Sequence, residues 1–468
     1  MATKYDFGLI GLGVMGRNFL LNVSDHGYSV AGLDRDPEKV EAFANDTEGK
    51  VSLSTTDAKE FVQSLSTPRK IMMLVPAGQA VDAVIEQFES MLEPGDLLID
   101  GGNSLYTDTN RRMKRLSEKD ILYLGVGVSG GEEGARRGPS IMPGGDQKAY
   151  EMVAPILESV AAKVNDEPCV AYMGNTSAGN YVKMVHNGIE YGLMQLIAEV
   201  YDLLLRHGRL SNAELAEVFE KWNKGRLQSF LIEITSQIFK TKDDITGNSL
   251  VDMVLDKAKQ KGTGKWTSQN AMDLGIATPT IDAAVSMRQI SGQKDLRQSM
   301  STGNRYAVEE YNLDKVELIN LAERALYFST VVTYAQGFQL LSAANEEYKY
   351  ELDMEANARI WRGGCIIRAA FLEDIRSAYQ QKPNLPHLFA NAEIRGVLED
   401  NSSATRNLMI HALQNRIPAL ALSSALNYYD AITTARLPLN LVQAQRDFFG
   451  AHTYERTDRE GIFHSEWW

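Results

Sequence analysis

Along residues 1–176 short apolar runs alternate with amphipathic stretches. The runs Tyr5–Gly11, Ser29–Asp34, Ile71–Val75, Leu97–Asp100 and Ile121–Val126 read as strands, and the stretches between them as helices. Such alternation predicts βαβ units, hence a mostly parallel sheet with helices on both faces. Ligands of these sheets bind beyond the carboxyl ends of the strands. Here those ends carry GLGVMG, VPAG, DGGNS and GVSGGEEG, all rich in glycine and small residues. The pattern predicts an α/β, doubly wound nucleotide-binding domain over 1–176.

From Ser177 the alternation stops, and helical periodicity runs to Ala435. The opening segment, Ser177 to Gly208, contains no proline. At ~1.5 Å per residue it would span about 45 Å. Further helices follow, broken at KGTGKW, ATPT and KPNLP, with no clean repeat of fixed period. Residues 177–435 therefore read as a large all-α domain. Residues 436–468 form a short polar tail that carries Phe448, Phe449, Tyr454, Phe463, Trp467 and Trp468. Rings of that size must bury against something.

Length agrees with several domains, since 468 residues exceed the roughly 250–300 that one core serves. A composition of 44% hydrophobic and 23% charged residues excludes disorder and collagen-like repeats. No apolar stretch reaches the ~18 residues of a membrane span. The opening MATKYDFGLIGLG leads straight into a strand without a signal-peptide pattern. Cys169 and Cys365 have neither a CxxC spacing nor a histidine neighbour, so no metal is expected and a reducing cytoplasm fits best. The charge sum 48 − 61 = −13 argues against nucleic acid or an anionic membrane as partner. Any anion site must then be a local basic pocket.

Gly11-Leu12-Gly13-Val14-Met15-Gly16 follows a predicted strand and opens a predicted helix, and Asp34 ends the next strand. A glycine turn alone is common. In this context it points to a dinucleotide, whose pyrophosphate approaches the backbone and sits on the helix N-terminus. The residues beyond leave the coenzyme open. Asp34 suits the ribose 2′-hydroxyl of NAD, Arg35 suits the 2′-phosphate of NADP, and Asp36 adds a second negative charge.

On a helical wheel at about 100° per residue, Val182, Val185, Ile189, Leu193, Leu196 and Val200 share one arc of about 80°. Lys183, Asn187, Glu190 and Tyr191 fall on a separate arc of about 100°. An ordinary solvated face is one reading. Against it, Lys183 and Glu190 are seven apart, too far for an i,i+4 pair, and Asn187-Gly188 in mid-helix costs about 1 kcal/mol in propensity.

DGGNS, GVSGGEEGARRGPSIMPGG, KMVHNGIEYG, KGTGKWTSQ and QAQRDFFGAHTYER, in this order, closely resemble the decarboxylating 6-phosphogluconate dehydrogenases of the β-hydroxyacid dehydrogenase family. The resemblance covers essentially the whole chain. It implies oxidative decarboxylation of 6-phosphogluconate to ribulose 5-phosphate and CO2, a pentose phosphate pathway reaction. It makes Lys183 the general base and then acid, and Glu190 the second acid. It assigns Asn103, Ser129, Gly130, Gly131, His186 and Asn187 to the sugar acid, and Tyr191, Lys261 and Arg288 to its phosphate, with Thr263 beside them. Arg446 and His452 would complete the site from a partner subunit, which implies a homodimer with exchanged tails. The coenzyme would meet Gly11, Leu12, Gly13, Val14, Met15, Gly16, Asp34, Arg35, Asp36, Val75, Pro76, Ala77 and Asn103.

Bland alternatives exist for several of these. Lys257, Lys259, Lys261 and Lys265 read equally as a solvated run, Arg288 as a surface arginine, and His186 as a satisfied helix histidine. The motif matches, not the periodicity, favour the functional reading. Two positions depart from the family pattern, which has Asn-Arg-Ser/Thr where this chain has Asp34-Arg35-Asp36, and often a lysine at Pro76. Arg35 keeps NADP as the expected coenzyme, with NAD as the alternative because of Asp34 and Asp36. A rival dehydrogenase of an unphosphorylated acid would not need the KGTGK loop, Arg288 or the tail arginine. A non-catalytic NADP-binding scaffold would not need Lys183 or Glu190.

Overall fold

The computed structural model describes residues 4–301 and 314–468. Residues 1–3, part of the stretch read as leading into a strand, and 302–313, within the predicted helical half, lie outside the described residues. Seven strands form one sheet in the order β3-β2-β1-β4-β5-β6-β7. They are β1 (Phe7–Ile10), β2 (Val30–Leu33), β3 (Ser52–Thr55), β4 (Lys70–Met73), β5 (Leu97–Asp100), β6 (Leu122–Ser129) and β7 (Ser140–Gly145). The first six are parallel, and β7 runs antiparallel to β6.

The five expected strands are present, most of them shorter than their apolar runs. Two others were not legible. SLST at β3 is a half-buried edge with only one apolar residue, and SIMPGG at β7 carries a proline and two glycines. Phe7, Leu9, Leu97, Ile99 and Leu124 pack to one side of the sheet and Ile10, Ile71, Met73 and Leu98 to the other. This two-sided burial is what parallel strands covered by helices require.

Beyond the sheet the chain is helical. A 29-residue helix, Ala178–Arg206, runs through the middle and touches β6, β7, the long helix Lys315–Tyr348, and the helices Thr263–Asp273, Pro279–Gly292 and Leu420–Ile432. It is buried on nearly every side, so the arc that periodicity offered as a solvated face is covered as well. Gly188 shows how. A Cβ there would lie 2.6 Å from the Thr267 methyl, so glycine admits the neighbouring helix. That contact offsets the helix-propensity penalty.

The central helix is tied to Leu420–Ile432 through one carboxylate. Glu199, 2% exposed, accepts from the Ala421 and Leu422 N–H groups, each at 2.9 Å, and from Gln195 at 3.0 Å. These N–H groups are among the first of their helix and lack partners within it. Burial raises the Glu199 carboxyl from 4.5 to about 7, more than its donors lower it. A carboxyl raised on folding favours the folded state below its unfolded value and loses that advantage as pH rises through its folded value. A shift of this size corresponds to about 3 kcal/mol. The difference in thermal midpoint between the unmodified chain and Glu199→Gln should therefore move against the unmodified chain from pH 4.5 to 8. A difference independent of pH would show that Glu199 is ionised throughout.

Candidate active site

The Gly11–Gly16 turn joins β1 to the helix Val14–Asp25. Gly11 holds a φ of +101°, and a Cβ on Gly16 would sit 1.9 Å from the Gly11 carbonyl oxygen. Neither position tolerates a side chain. At Gly13 a Cβ would meet nothing within 4 Å, and the first helical turn beyond it carries no acidic residue. Free N–H groups, open space and the positive end of a helix make an anion cradle. Val14 is exposed there and Met15 half-buried.

Asp34 is engaged by the backbone on both oxygens. Its Oδ2 accepts from the Leu12 N–H at 2.8 Å and its Oδ1 from the Asp36 N–H at 3.0 Å. The carboxylate thus braces the glycine turn from the end of β2. Asp36 caps the next helix by accepting from the Glu38 N–H at 3.1 Å. Lys39 Nζ, which sequence reasoning missed, lies 3.5 Å from Asp36 and 3.9 Å from Asp34. Arg35 and Lys39 line a cleft of about 480 Å³ together with Gly11, Gly13, Asp34, Val75 and Pro76. Ala77 is exposed next to Pro76. Two cations therefore face this cleft, and Lys39 offsets part of the charge that Asp34 and Asp36 bring. The signal for Lys39 was its i,i+3 spacing from Asp36.

A second missed residue, Arg112, is 1% exposed and holds two loops at the strand ends. It donates to Asp100 Oδ2 at 3.3 Å, Ser104 Oγ at 3.1 Å, the Gly78 carbonyl at 2.9 Å and Asp82 at 2.8 Å. The DGGNS and VPAG segments are thereby fixed to one guanidinium. Asn103 stands exposed on the first of them. Nothing in the run RRMKR marks this arginine as buried.

On the central helix Lys183 is 6% exposed and His186 fully buried, while Glu190 is half-buried. A Cβ on Gly127 of β6 would lie 2.4 Å from Lys183 Cβ, so glycine there makes room for the lysine stem. Burial lowers the Lys183 ammonium from its usual value, and Glu190 and Cys365 only oppose this. Burial raises the Glu190 carboxyl against the opposing charges of Lys183 and Arg288. Each is moved toward its neutral form, lysine as a base and glutamic acid as an acid.

A polar chain crosses the site beside them. Asn187 Nδ2 donates to Thr263 Oγ1 at 3.2 Å, leaving Asn187 Oδ1 to accept from His186 Nδ1 at 3.0 Å. His186 Nε2, 3.2 Å from Ser129 Oγ, then accepts from that hydroxyl. Burial and the Lys183 charge push the imidazole well below its usual value, so it is neutral. Ser129 ends β6, and Gly130, at φ +113°, turns the chain into Gly131 and a short helix. The Arg288 guanidinium stacks 3.3 Å from the centre of the Tyr191 ring.

The fold thus brings Ser129, His186, Asn187 and Thr263 together, and pairs Tyr191 with Arg288. Lys261 is exposed just ahead of Gly262, which turns the chain into the helix Thr263–Asp273. Arg446 and His452 lie apart on the tail. Arg446 donates to Gln443 at 3.1 Å, and the His452 ring packs on Phe449 at 5.9 Å. Among the described residues no group of three or more His, Cys, Asp or Glu side chains could hold a metal ion.

Residues 179–467 match the family description "6-phosphogluconate dehydrogenase, C-terminal domain", and residues 6–174 match "NAD binding domain of 6-phosphogluconate dehydrogenase". The chain is 52% identical over 468 residues to the NADP(+)-dependent, decarboxylating 6-phosphogluconate dehydrogenase of Bacillus subtilis, covering 99% of each. It is 50% identical over 466 residues to the decarboxylating 6-phosphogluconate dehydrogenase of Escherichia coli, again covering 99% of each. The Plasmodium falciparum 6-phosphogluconate dehydrogenase, solved apo, with its cofactor NADP+ and with its substrate 6-phosphogluconate, superposes with a TM-score of 0.95. That protein is 46% identical, with 99% of this chain and 100% of the other covered.

The glycine turn gives a pair of contrasting variants. Gly16→Ala should destabilise the sheet half, because its methyl collides with backbone. Gly13→Ala should leave the thermal midpoint unchanged, yet weaken NADPH binding at least about tenfold, since its methyl projects where a dinucleotide backbone approaches. A fluorescence titration with NADPH that shows native affinity in Gly13→Ala would remove the cradle assignment.

Proposed function

The chain belongs to the 6-phosphogluconate dehydrogenase family, and on that premise we propose that it converts 6-phosphogluconate to ribulose 5-phosphate and CO2 with reduction of NADP. The observation that carries the reading is the lysine and glutamate on one face of a buried helix, each displaced toward its neutral form. The reaction belongs to the pentose phosphate pathway, in the cytoplasm. No helix among the described residues is long and apolar enough to cross a membrane.

The residues fit the coenzyme. Gly11, Leu12, Gly13, Val14, Met15 and Gly16 form its turn, Asp34 and Asp36 shape the pocket beside Arg35, and Val75, Pro76, Ala77 and Asn103 border it. Arg35 takes the 2′-phosphate; Asp34, with both oxygens already engaged by backbone, is a weak competitor for a ribose hydroxyl. When bound, NADP supplies the hydride acceptor.

Lys183, neutral, takes the proton from the C3 hydroxyl of the sugar acid as C3 is oxidised. The 3-keto acid then loses CO2, because the carbonyl accepts the electron pair. Lys183, now protonated, stabilises the oxygen that becomes negative. Glu190 delivers a proton to C1 of the enediol. The two groups lie seven residues apart, about 10.5 Å along the axis at 1.5 Å per residue, so a six-carbon acid can lie along the groove between them. Ser129, Gly130, Gly131, His186, Asn187 and Asn103 hold the sugar acid. Tyr191, Lys261 and Arg288 hold the phosphate, whose dianion calls for charge-assisted bonds.

We infer further that the chain divides at 1–176, 177–435 and 436–468, and that it acts as a homodimer. Each tail then supplies Arg446 and His452 to the site of the other copy. The exposures support this, with Leu441 at 61%, Phe449 at 72% and Trp468 at 95%. The hydrogen bonds of the tail close on the tail itself. Buried Asp447 accepts from the Thr453 and Ser465 N–H groups, from Trp467 Nε1 and from His464. The segment is ordered within, while its apolar surface is left uncovered.

Two experiments separate these roles. With 6-phosphogluconate and NADP in a stopped-flow instrument, Lys183→Met should form almost no reduced coenzyme. Glu190→Ala should show a burst of reduced coenzyme before turnover stalls. Near-native coenzyme reduction in Lys183→Met would rule out its role as base. Truncation after Leu437 should abolish turnover and shift the sedimenting species toward monomer. A truncated monomer with full activity excludes the shared site.

A further inference from the structure

Four tyrosines and one amide meet where the sheet half, the central helix and the helix Thr263–Asp273 converge. Asn270, 3% exposed, donates through Nδ2 to the Tyr106 oxygen at 2.9 Å and to the Tyr348 oxygen at 2.8 Å. Its Oδ1 accepts from the Tyr181 hydroxyl. The rings pack on one another, with Tyr106 edge-on to Tyr181 at 5.1 Å and Tyr350 tilted against Tyr181 at 5.4 Å. Tyr350 is anchored to Ser177 by a 3.0 Å hydroxyl contact. Both N–H groups and the carbonyl of Asn270 are engaged, so the amide orientation is determined by its partners. None of these groups takes part in the chemistry described above.

Their places in the chain matter more than their packing. Tyr106 opens the helix Tyr106–Ser117, three residues beyond Asn103. Tyr181 stands two residues before Lys183. Asn270 lies two turns after Thr263, on the helix that follows the KGTGK loop. Tyr348 ends the long helix Lys315–Tyr348. Of the three hydroxyls that Asn270 meets, only Tyr106 comes from the sheet half. The central helix has its own tie to that half, since Thr109 donates to Asn180 Oδ1 at 2.9 Å. Asn270–Tyr106 is the corresponding direct tie for the substrate-side helix.

We propose that Asn270 is a positioning residue whose bond to Tyr106 sets the distance between the coenzyme-side loop at Asn103 and the substrate-side helix beginning at Thr263. The proposal rests on the function given above. Hydride transfer requires the reacting atoms to lie about 3–3.5 Å apart, and a misplacement of about 1 Å can cost 10²-fold in rate. A substrate held by its phosphate end on one element and a coenzyme held on another depend on whatever spaces the two. The amide does so without touching either.

Tyr106→Phe and Tyr348→Phe in the full-length chain test this. Each keeps its ring, removes one acceptor from the same amide and loses the 3.3 Å contact between the two hydroxyls, so they match in lost hydrogen bonding and differ in whether the Asn270–Tyr106 bond survives. Tyr106→Phe should lower kcat about tenfold, with KM for 6-phosphogluconate within about twofold, because binding groups are untouched while the approach geometry relaxes. Its isotope effect with substrate deuterated at C3 should rise, as hydride transfer becomes rate-limiting. Tyr348→Phe should stay within about twofold of the unmodified chain in kcat, with a similar fall in thermal midpoint. Equal kinetic effects of the two variants, or an unchanged kcat in Tyr106→Phe, overturn the positioning role. An unmodified chain inactive on 6-phosphogluconate overturns the function itself and this proposal with it.

Discussion

The structure depends on a helix buried on nearly every side while carrying a lysine, a histidine, a glutamate and two asparagines toward its neighbours. Apolar burial alone would expel such a face to solvent. Here several of the elements packed on Ala178–Arg206 supply room or a polar partner. Gly127 clears the lysine stem, Ser129 and Thr263 engage the His186–Asn187 pair, and Arg288 with Tyr191 borders Glu190. In the proposed mechanism the same burial serves the chemistry, since desolvation moves both the lysine and the glutamate toward the uncharged forms that proton transfer needs. Stability and reactivity are therefore linked in one place. The neighbours that satisfy the helix are the walls of the site.

An acidic molecule that binds two phosphate-bearing ligands must concentrate its cations locally. The net charge of −13 would otherwise repel them. In the proposed site Arg35 and Lys39, which line the cleft beside the glycine turn, do this for the coenzyme, and Arg288, stacked on Tyr191, does it for the substrate. The carboxylates of Asp34 and Asp36 stand close to these cations, with both Asp34 oxygens on the Leu12 and Asp36 N–H groups and Asp36 Oδ1 on the Glu38 N–H. The Lys39 ammonium, 3.5 Å from Asp36 and 3.9 Å from Asp34, offsets part of their charge, which is how an Asp-Arg-Asp sequence remains compatible with a phosphate. Arg112 plays the complementary part inside the sheet half, where a fully buried guanidinium joins the two loops beside the cleft.

The C-terminal tail is built differently from either half. Its order comes from one buried aspartate with four donors, and its rings at Phe449 and Trp468 face outward. A segment stable by polar bonds within and apolar without is suited to another surface. In the proposed dimer that surface belongs to the second copy, which would give each active site residues from two chains.

The sheet half, the central helix and the position of the dinucleotide turn were legible from the chain alone, because periodicity and glycine placement reflect local constraints. Strand alternation located β1, β2, β4, β5 and β6, and the 3.6-residue period placed the 29-residue helix within a residue or two of its ends. Motif order carried the family, and with it the candidate site. What remained hidden depends on contacts between distant segments. The edge strand β3 and the antiparallel β7 hold their places through neighbours rather than through their own apolar pattern. Whether the Lys183 face met water or protein, whether Asp34 was free or engaged, and whether Arg112 was a surface or a buried arginine were all undetermined by spacing. Each turns on a partner 20 or more residues away, and only the packed chain brings that partner within hydrogen-bonding distance.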